Sequence, residues 1–187
     1  MEQNILWASL TNTGLEHLRL LQNEEHIMAD GLIIGIQDHR PFRLRYEIRC
    51  DTQWRVRSAH LSVDDPPHTL QLHSNGKGTW TAKTGDPLPA FDGCFDIDIS
   101  VTPFTNTLPI RRTGLKTGET CDLTVVYITA PDLQIEPLQQ RYTCLNTTLD
   151  SATYRYESPS SEFTADLSVD ADGLVLFYPE LFKRVQI

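Results

Sequence analysis

The chain has 187 residues, of which 40% are hydrophobic and 22% are charged, proportions typical of one globular domain. Its 25 acidic residues outnumber the 16 lysines and arginines, so the formal net charge at pH 7 is −9. This charge argues against general nucleic-acid binding and against adhesion to an anionic membrane surface, because both require a basic face.

The N-terminal ten residues, MEQNILWASL, have neither the basic region nor the apolar core of a secretory signal. The longest apolar run, Leu32–Ile36, is far too short for a membrane span. We therefore expect a cytoplasmic protein without a membrane-spanning segment. Its four cysteines are widely spaced without a CxxC pair, and in that compartment we expect them to be reduced and unpaired.

Apolar and polar residues alternate with the period of two that is typical of β-strands. The alternation is clearest at Phe42–Cys50, where every second residue is apolar and the residues between them are charged. The other predicted strands, in chain order, are residues 6–10, 15–21, 32–37, 54–63, 70–73, 78–83, 96–100, 122–128, 139–145, 152–158, 163–169 and 174–178.

Three dipeptides, Asp30-Gly31, Asn75-Gly76 and Asp172-Gly173, predict two-residue hairpin turns. No segment sustains a period of 3.6, so we expect little helix. About a dozen strands without a dividing linker predict a single mainly β domain over residues 1–187. Its one large antiparallel sheet must curl, close or split.

Two carboxylates share one face of the predicted strand at residues 96–100. Asp96 and Asp98 are separated by about 6.5 Å along a strand, since each residue rises about 3.3 Å. One interpretation is a solvated face opposite the core. The other is a carboxylate pair that performs acid/base chemistry on a glycosidic bond.

The segment that follows is rich in threonine and is bracketed by prolines. Thr102–Thr107 predicts either a rigid strand connection or a polar rim of a binding site. We expect Arg111 and Arg112 to lie on an extended segment and to point to opposite faces. Only one of them would then face a cavity, and we expect it to be Arg111.

The histidines and cysteines show no spacing typical of a metal site. The sequence also contains no phosphate-binding loop and no serine-hydrolase motif. We therefore expect neither a metal nor a cofactor.

Five segments of the sequence carry a resemblance to a known family: Cys50–Arg57, Asp92–Arg112, Val125–Leu133, Gln140–Leu145 and Val169–Arg184. Together they resemble the putative glycolipid-binding family of bacterial proteins, and the resemblance extends over residues 7–184. The resemblance implies one strongly curved antiparallel sheet, a spiral β-roll or half-barrel. That architecture is similar to the lipoprotein-localisation factors, which hold acyl chains in a concave apolar face, and to a small pigment-pathway enzyme.

The leading hypothesis is a binding protein for an amphiphilic small molecule such as a glycolipid. The concave face would hold the apolar part, and residues 102–112 would bind the head group. One alternative is an enzyme that uses the same cavity, with Asp96 and Asp98 as acid and base. Another is a domain that binds a protein partner through an open sheet edge or an exposed apolar concavity. The sequence leaves the oligomeric state open. The candidate ligand-binding residues are Trp54, Asp96, Asp98, Thr102, Phe104, Asn106, Arg111, Arg112, Tyr127 and Tyr142.

Overall fold

A computed structural model describes the whole chain except residues 12, 65, 66 and 187. Within the described residues, fourteen strands form one large sheet, which confirms the predicted mainly β fold. The strands are β1 (Glu2–Ser9), β2 (Gly14–Gln22), β3 (Ile27–Gln37), β4 (Arg40–Cys50), β5 (Val56–Asp64), β6 (Pro67–Ser74), β7 (Trp80–Ala82), β8 (Asp96–Ile99), β9 (Thr120–Ile128), β10 (Ile135–Thr147), β11 (Ser151–Ser158), β12 (Phe163–Asp170), β13 (Val175–Tyr178) and β14 (Phe182–Val185).

The strand order is β7-β6-β5-β4-β3-β2-β1-β14-β13-β12-β11-β10-β9-β8, so the sheet is open, with β7 and β8 at its edges. Most neighbours follow one another in the chain and pair antiparallel, and β1 pairs with β14 to join the two halves. The expectation of a wholly antiparallel sheet fails at one pair, because β8 and β9 are parallel. Residues 100–119 between them provide the long crossover that a parallel pair needs.

One of the three predicted hairpin turns is wrong, and the glycine of that dipeptide instead leaves space for a side chain of the neighbouring strand. Asp30-Gly31 lies inside β3, where Gly31 is paired with Tyr46 of β4. A Cβ built on Gly31 would lie only 2.1 Å from Cζ of Tyr46, so the glycine makes room for the tyrosine ring. Asp172-Gly173 does lie in the connection between β12 and β13, with Gly173 at a φ of 77°.

The threonine-rich segment is helical, not extended. A 3-10 turn at Phe104–Asn106 continues into the helix α1 (Thr107–Thr113). The two prolines at 103 and 109 do not prevent this, because a proline in a first helical turn removes an N–H that has no helical partner there. Gly114 ends α1 in the left-handed conformation, with its N–H donated to the carbonyl of Ile110.

Residues 102–113, here called the central segment, lie inside the curled sheet. Phe104 is fully buried and stacks on Tyr46 of β4, with ring centroids 6.3 Å apart. From the other half of the sheet, the Tyr142 hydroxyl of β10 donates a 2.8 Å hydrogen bond to Oδ1 of Asn106. The sheet therefore wraps around the central segment, and cavities remain on two sides of it.

Candidate functional site

The tyrosine cavity, a space of about 400 Å³, lies between the central segment and strands β8 to β14. Asp98 of β8 and Asn106 of the central segment contribute polar groups to its lining. The cavity is also lined by three tyrosines, four serines and a group of apolar side chains. These are Tyr127, Tyr156, Tyr178, Ser100, Ser158, Ser160, Ser161, Ile99, Leu138, Phe163, Leu181 and Phe182.

Asp98 is recessed in this cavity and is held by two neutral donors. Thr105 Oγ1 donates to its Oδ1 at 2.8 Å, and Gln140 Nε2 donates to its Oδ2 at 2.7 Å. Burial raises the pKa of Asp98 above its usual value, although both hydrogen bonds lower it. The carboxyl pairs with no cation among the described residues, and of the two interpretations of this strand face, the solvated one does not apply to Asp98, because it lines the cavity.

The three tyrosines come from alternate strands of the sheet, β9, β11 and β13, and all of them line the cavity. The centroids of Tyr156 and Tyr178 are 6.3 Å apart, in an edge-to-face arrangement. Burial, and next the charge of Asp98, raise the pKa of Tyr127. The phenols are therefore neutral near pH 7, and their hydroxyls can donate hydrogen bonds to a ligand.

The Glu16 cavity, of about 140 Å³, is the neighbour of the tyrosine cavity. The two share Ser100, Leu181 and Phe182 in their linings. Its remaining walls combine apolar side chains, among them Trp7 and Phe42, with polar ones such as Ser9 and Gln37. The two cavities thus adjoin each other along one side of the central segment, and each is lined by both polar and apolar groups.

Glu16 of β2 lies in the Glu16 cavity and is only 2% exposed. Its Oε1 accepts hydrogen bonds from the hydroxyls of Tyr46 and Thr102, whereas its Oε2 has no partner among the described residues. Burial raises the pKa of Glu16 to about 7. Sequence reasoning missed this residue, although its signal was present: Glu16 is in phase with the apolar residues Leu18 and Leu20.

The arginine pocket, of about 540 Å³, has a lining that shares no residue with either cavity. Within it, Arg112 Nε donates to Oδ1 of Asp96 at 3.0 Å, and Arg112 Nη2 donates to Oδ2 at 2.6 Å. Asp96 is fully buried, so the expectation that it lies on a solvated face is also wrong. The lining consists of Gln22, Thr52, Gln53, Trp54, Arg55, Phe95, Arg111 and Arg112.

The expectation that Arg111 is the inward arginine is wrong. Arg112 binds the buried acid, and the guanidinium of Arg111 lies over the ring of Trp54, 5.3 Å from its centroid. The reason is the helix: successive side chains of α1 differ in direction by about 100°, not by the 180° of a strand. Both arginines can therefore line the same pocket.

The ten predicted ligand-binding residues form two groups and a buried layer between them. Asp98, Thr102, Asn106 and Tyr127 line the tyrosine cavity. Trp54, Arg111 and Arg112 line the arginine pocket. Asp96, Phe104 and Tyr142 are buried, where they bind Arg112, pack on Tyr46 and donate to Asn106, respectively.

Among the described residues, no group of three or more histidine, cysteine or acidic side chains could hold a metal ion. In the same part of the chain, no helix is long and apolar enough to cross a membrane. All four cysteines are free, and three of them are buried.

Changing Glu16 to glutamine should flatten the pH dependence of stability. The folded state keeps the Glu16 proton up to about pH 7, whereas an unfolded chain releases it near 4.5. The raised pKa of Glu16 therefore contributes its full stabilisation below pH 4.5. This stabilisation, about 3 kcal/mol, is lost as the pH rises through 7. In urea unfolding, the free energy of unfolding should fall more between pH 5 and pH 8 in the wild type than in Glu16→Gln, by about this amount. The control is Glu2→Gln, at an exposed glutamate. The prediction is contradicted if the stability of Glu16→Gln depends on pH as steeply as that of the wild type.

The fold and its cavities define a class of protein: a single open β-sheet curled around a short helix, with a recessed amphiphilic cavity. The chain belongs to the putative glycolipid-binding family, whose model matches residues 4–184. It is similar to a DUF1089 family protein from Pseudomonas aeruginosa with a crystal structure at 1.80 Å resolution. The two chains are 38% identical with a TM-score of 0.82, and the match covers 92% of each. No curated protein matches the chain.

Proposed function

We propose that the protein binds an amphiphilic small molecule with an uncharged, hydroxyl-rich head group, as in a glycolipid. The observation that carries the proposal is the tyrosine cavity, which combines a recessed carboxyl acceptor with phenol hydroxyls and an aromatic wall. Sugar hydroxyls can donate to Asp98, and the apolar faces of a sugar ring can pack on Tyr156 and Phe163. The family to which the chain belongs supports the same class of ligand.

The head group should be uncharged because of the acids around it. Asp98 and Glu136 both line the tyrosine cavity, and the cavity is lined by no lysine or arginine among the described residues. A phosphate or carboxylate there would meet like charge without a compensating cation. A polyol instead offers hydroxyl donors to the carboxyl and acceptors to the tyrosines.

The apolar part of the ligand would occupy the Glu16 cavity. That cavity adjoins the tyrosine cavity at Leu181 and Phe182, so a chain attached to the head group can pass directly between them. Its lining continues to Leu15 and Ile36, which are 47% and 42% exposed. Covering such exposed apolar side chains with an alkyl chain gains about 25 cal/mol per Å² of buried apolar surface.

The geometry favours binding over the two-carboxylate enzyme. Asp96 is engaged by Arg112, and only Asp98 of the two lines the tyrosine cavity. An acid/base pair would need both carboxyls beside one bond of the substrate. Binding of a protein partner at a sheet edge gains no specific support from these cavities.

Octyl β-D-glucopyranoside, used below its micelle concentration, should bind the wild-type protein saturably in calorimetric titrations. Asp98→Asn should weaken this binding about 10- to 100-fold, because a hydrogen bond to a charged acceptor contributes about 1.5–3 kcal/mol. Asp166→Asn is the matched control, since Asp166 lies on β12 in an exposed pair with Arg155. Native mass spectrometry with organic extraction would identify any amphiphile that copurifies. Equal affinities for wild type and Asp98→Asn would count against the proposal.

A further inference from the structure

Most arginines in this protein form an ion pair with an acidic side chain. Nine of the twelve form an ion pair with an aspartate or glutamate. Within the described residues, the three without such a pair are Arg45, Arg55 and Arg111. Two of these three, Arg55 and Arg111, line the arginine pocket together with Arg112.

The arginine pocket is also free of acids. Its described lining contains no aspartate or glutamate, although the chain carries 25 of them and a net charge of −9. Besides the three arginines, Gln22, Thr52 and Gln53 supply neutral hydrogen-bonding groups. Of the three guanidinium groups, only that of Arg112 is paired with a carboxylate, that of the buried Asp96. Guanidinium groups without a paired carboxylate are the local chemistry that anion sites require.

We propose that the arginine pocket is a binding site for a phosphate group, separate from the tyrosine cavity. Arg112 is matched by Asp96, so Arg55 and Arg111 leave two positive charges without a partner. A phosphate monoester carries a charge of about −1.5 to −2 near pH 7, which balances them. The planar forks of guanidinium groups also match the oxygens of phosphate geometrically.

Two of the three guanidinium groups are held in position before a ligand arrives. The Arg111 guanidinium lies over Trp54, and that of Arg112 lies 5.2 Å from the ring centroid of Phe95. Arg112 donates to Asp96 through Nε and Nη2 only, which leaves its Nη1 available. The stem of Arg111 packs closely against Gly173, where an added Cβ would lie 3.0 Å from its Cδ.

The loop that carries Trp54 and Arg55 is likewise fixed. Oδ1 of Asp51 accepts hydrogen bonds from the backbone N–H groups of Gln53 and Arg55. Trp54, between them, adopts a φ of 62° and is buried. Because the backbone of this loop is already ordered, binding loses less conformational entropy than it would at a flexible loop.

The test is to titrate the protein with inorganic phosphate and with glycerol 3-phosphate and to measure binding. The ionic strength is held constant, and glycerol is the uncharged control. We expect saturable binding of the phosphates and none of glycerol. Arg111→Gln should weaken phosphate binding at least tenfold, and Arg55→Gln should weaken it at least threefold. Arg155→Gln, which breaks an exposed ion pair with Asp166, should leave it unchanged. Thermal unfolding of each variant would show that it remains folded.

Vesicles distinguish a lipid head group from a soluble phosphate ester. One outcome is that the protein is retained on phosphatidylcholine vesicles that contain 10% phosphatidic acid but not on vesicles of pure phosphatidylcholine. If Arg111→Gln abolishes this retention, the phosphate belongs to a lipid head group. Binding of glycerol 3-phosphate without vesicle retention would assign it to a soluble phosphomonoester. The proposal is overturned if no form of phosphate binds saturably, or if Arg111→Gln and Arg55→Gln bind like the wild type.

Discussion

Replacing Arg112 by alanine should destabilise the protein by about 3–5 kcal/mol in urea unfolding at pH 7. The substitution removes both hydrogen bonds to Asp96 and leaves a fully buried carboxyl without its cation. Stranding one partner of a buried ion pair costs several kcal/mol, because the remaining charge must be held without water. The loss should shrink at low pH, where Asp96 can take up a proton; burial already raises its pKa.

Two further variants show whether the cost comes from the stranded acid. Arg155→Ala removes a cation from the exposed pair with Asp166 and should cost no more than about 1 kcal/mol. Adding Asp96→Asn to Arg112→Ala should recover part of the loss, since a neutral amide is less costly to bury than a carboxylate. A loss in Arg112→Ala no larger than that in Arg155→Ala would show that the buried pair does not stabilise the fold.

Replacing Gly31 by alanine should destabilise the protein by about 2–4 kcal/mol. The new methyl group would lie 2.1 Å from Cζ of Tyr46, so the buried ring must move. Overpacking of this kind costs about 1–3 kcal/mol, and the displaced hydroxyl also loses its hydrogen bond to Glu16.

The matched control for this substitution is Gly14→Ala on β2. A Cβ at Gly14 would have its nearest contact at 3.4 Å, an ordinary van der Waals distance. Unfolding in urea should therefore show a change of less than about 1 kcal/mol, because removal of a flexible glycine restricts the unfolded chain and offsets part of any loss. Similar losses in the two variants would mean that the ring of Tyr46 is not confined by Gly31.

The strands could be predicted from the sequence because one face of the sheet is buried. In Phe42–Cys50 the alternation of apolar and charged residues matches the alternation of buried and exposed side chains along β4. The central segment could not be predicted in the same way. Its prolines favour extended neighbours, but contacts such as the stacking of Phe104 on Tyr46 stabilise a short helix that its own sequence does not require.

The candidate site was predictable in composition but not in arrangement. Asp98, Asn106 and Tyr127 were expected at a site, and they line the tyrosine cavity. Whether two of the predicted site residues line the same cavity depends on contacts between strands that are far apart in the chain. The hydrogen bond from Gln140 to Asp98, for example, joins residues 42 positions apart. The choice of Arg111 failed for a local reason, since it assumed the side-chain directions of a strand.

The pairing of β1 with β14 has a consequence for how the chain is made. Strands β1 to β7 and β8 to β14 can each form as a chain of neighbouring pairs, but the two half-sheets are joined only through β1 and β14, where residues 6–9 pair with residues 182–185. During synthesis β14 is the last of these strands to leave the ribosome. Until then the nascent chain exposes the inner faces of two unjoined half-sheets, and contacts of such long sequence separation form slowly. We therefore expect the pairing of β1 with β14, and with it the closure of the sheet around its helix, to be a late step of folding.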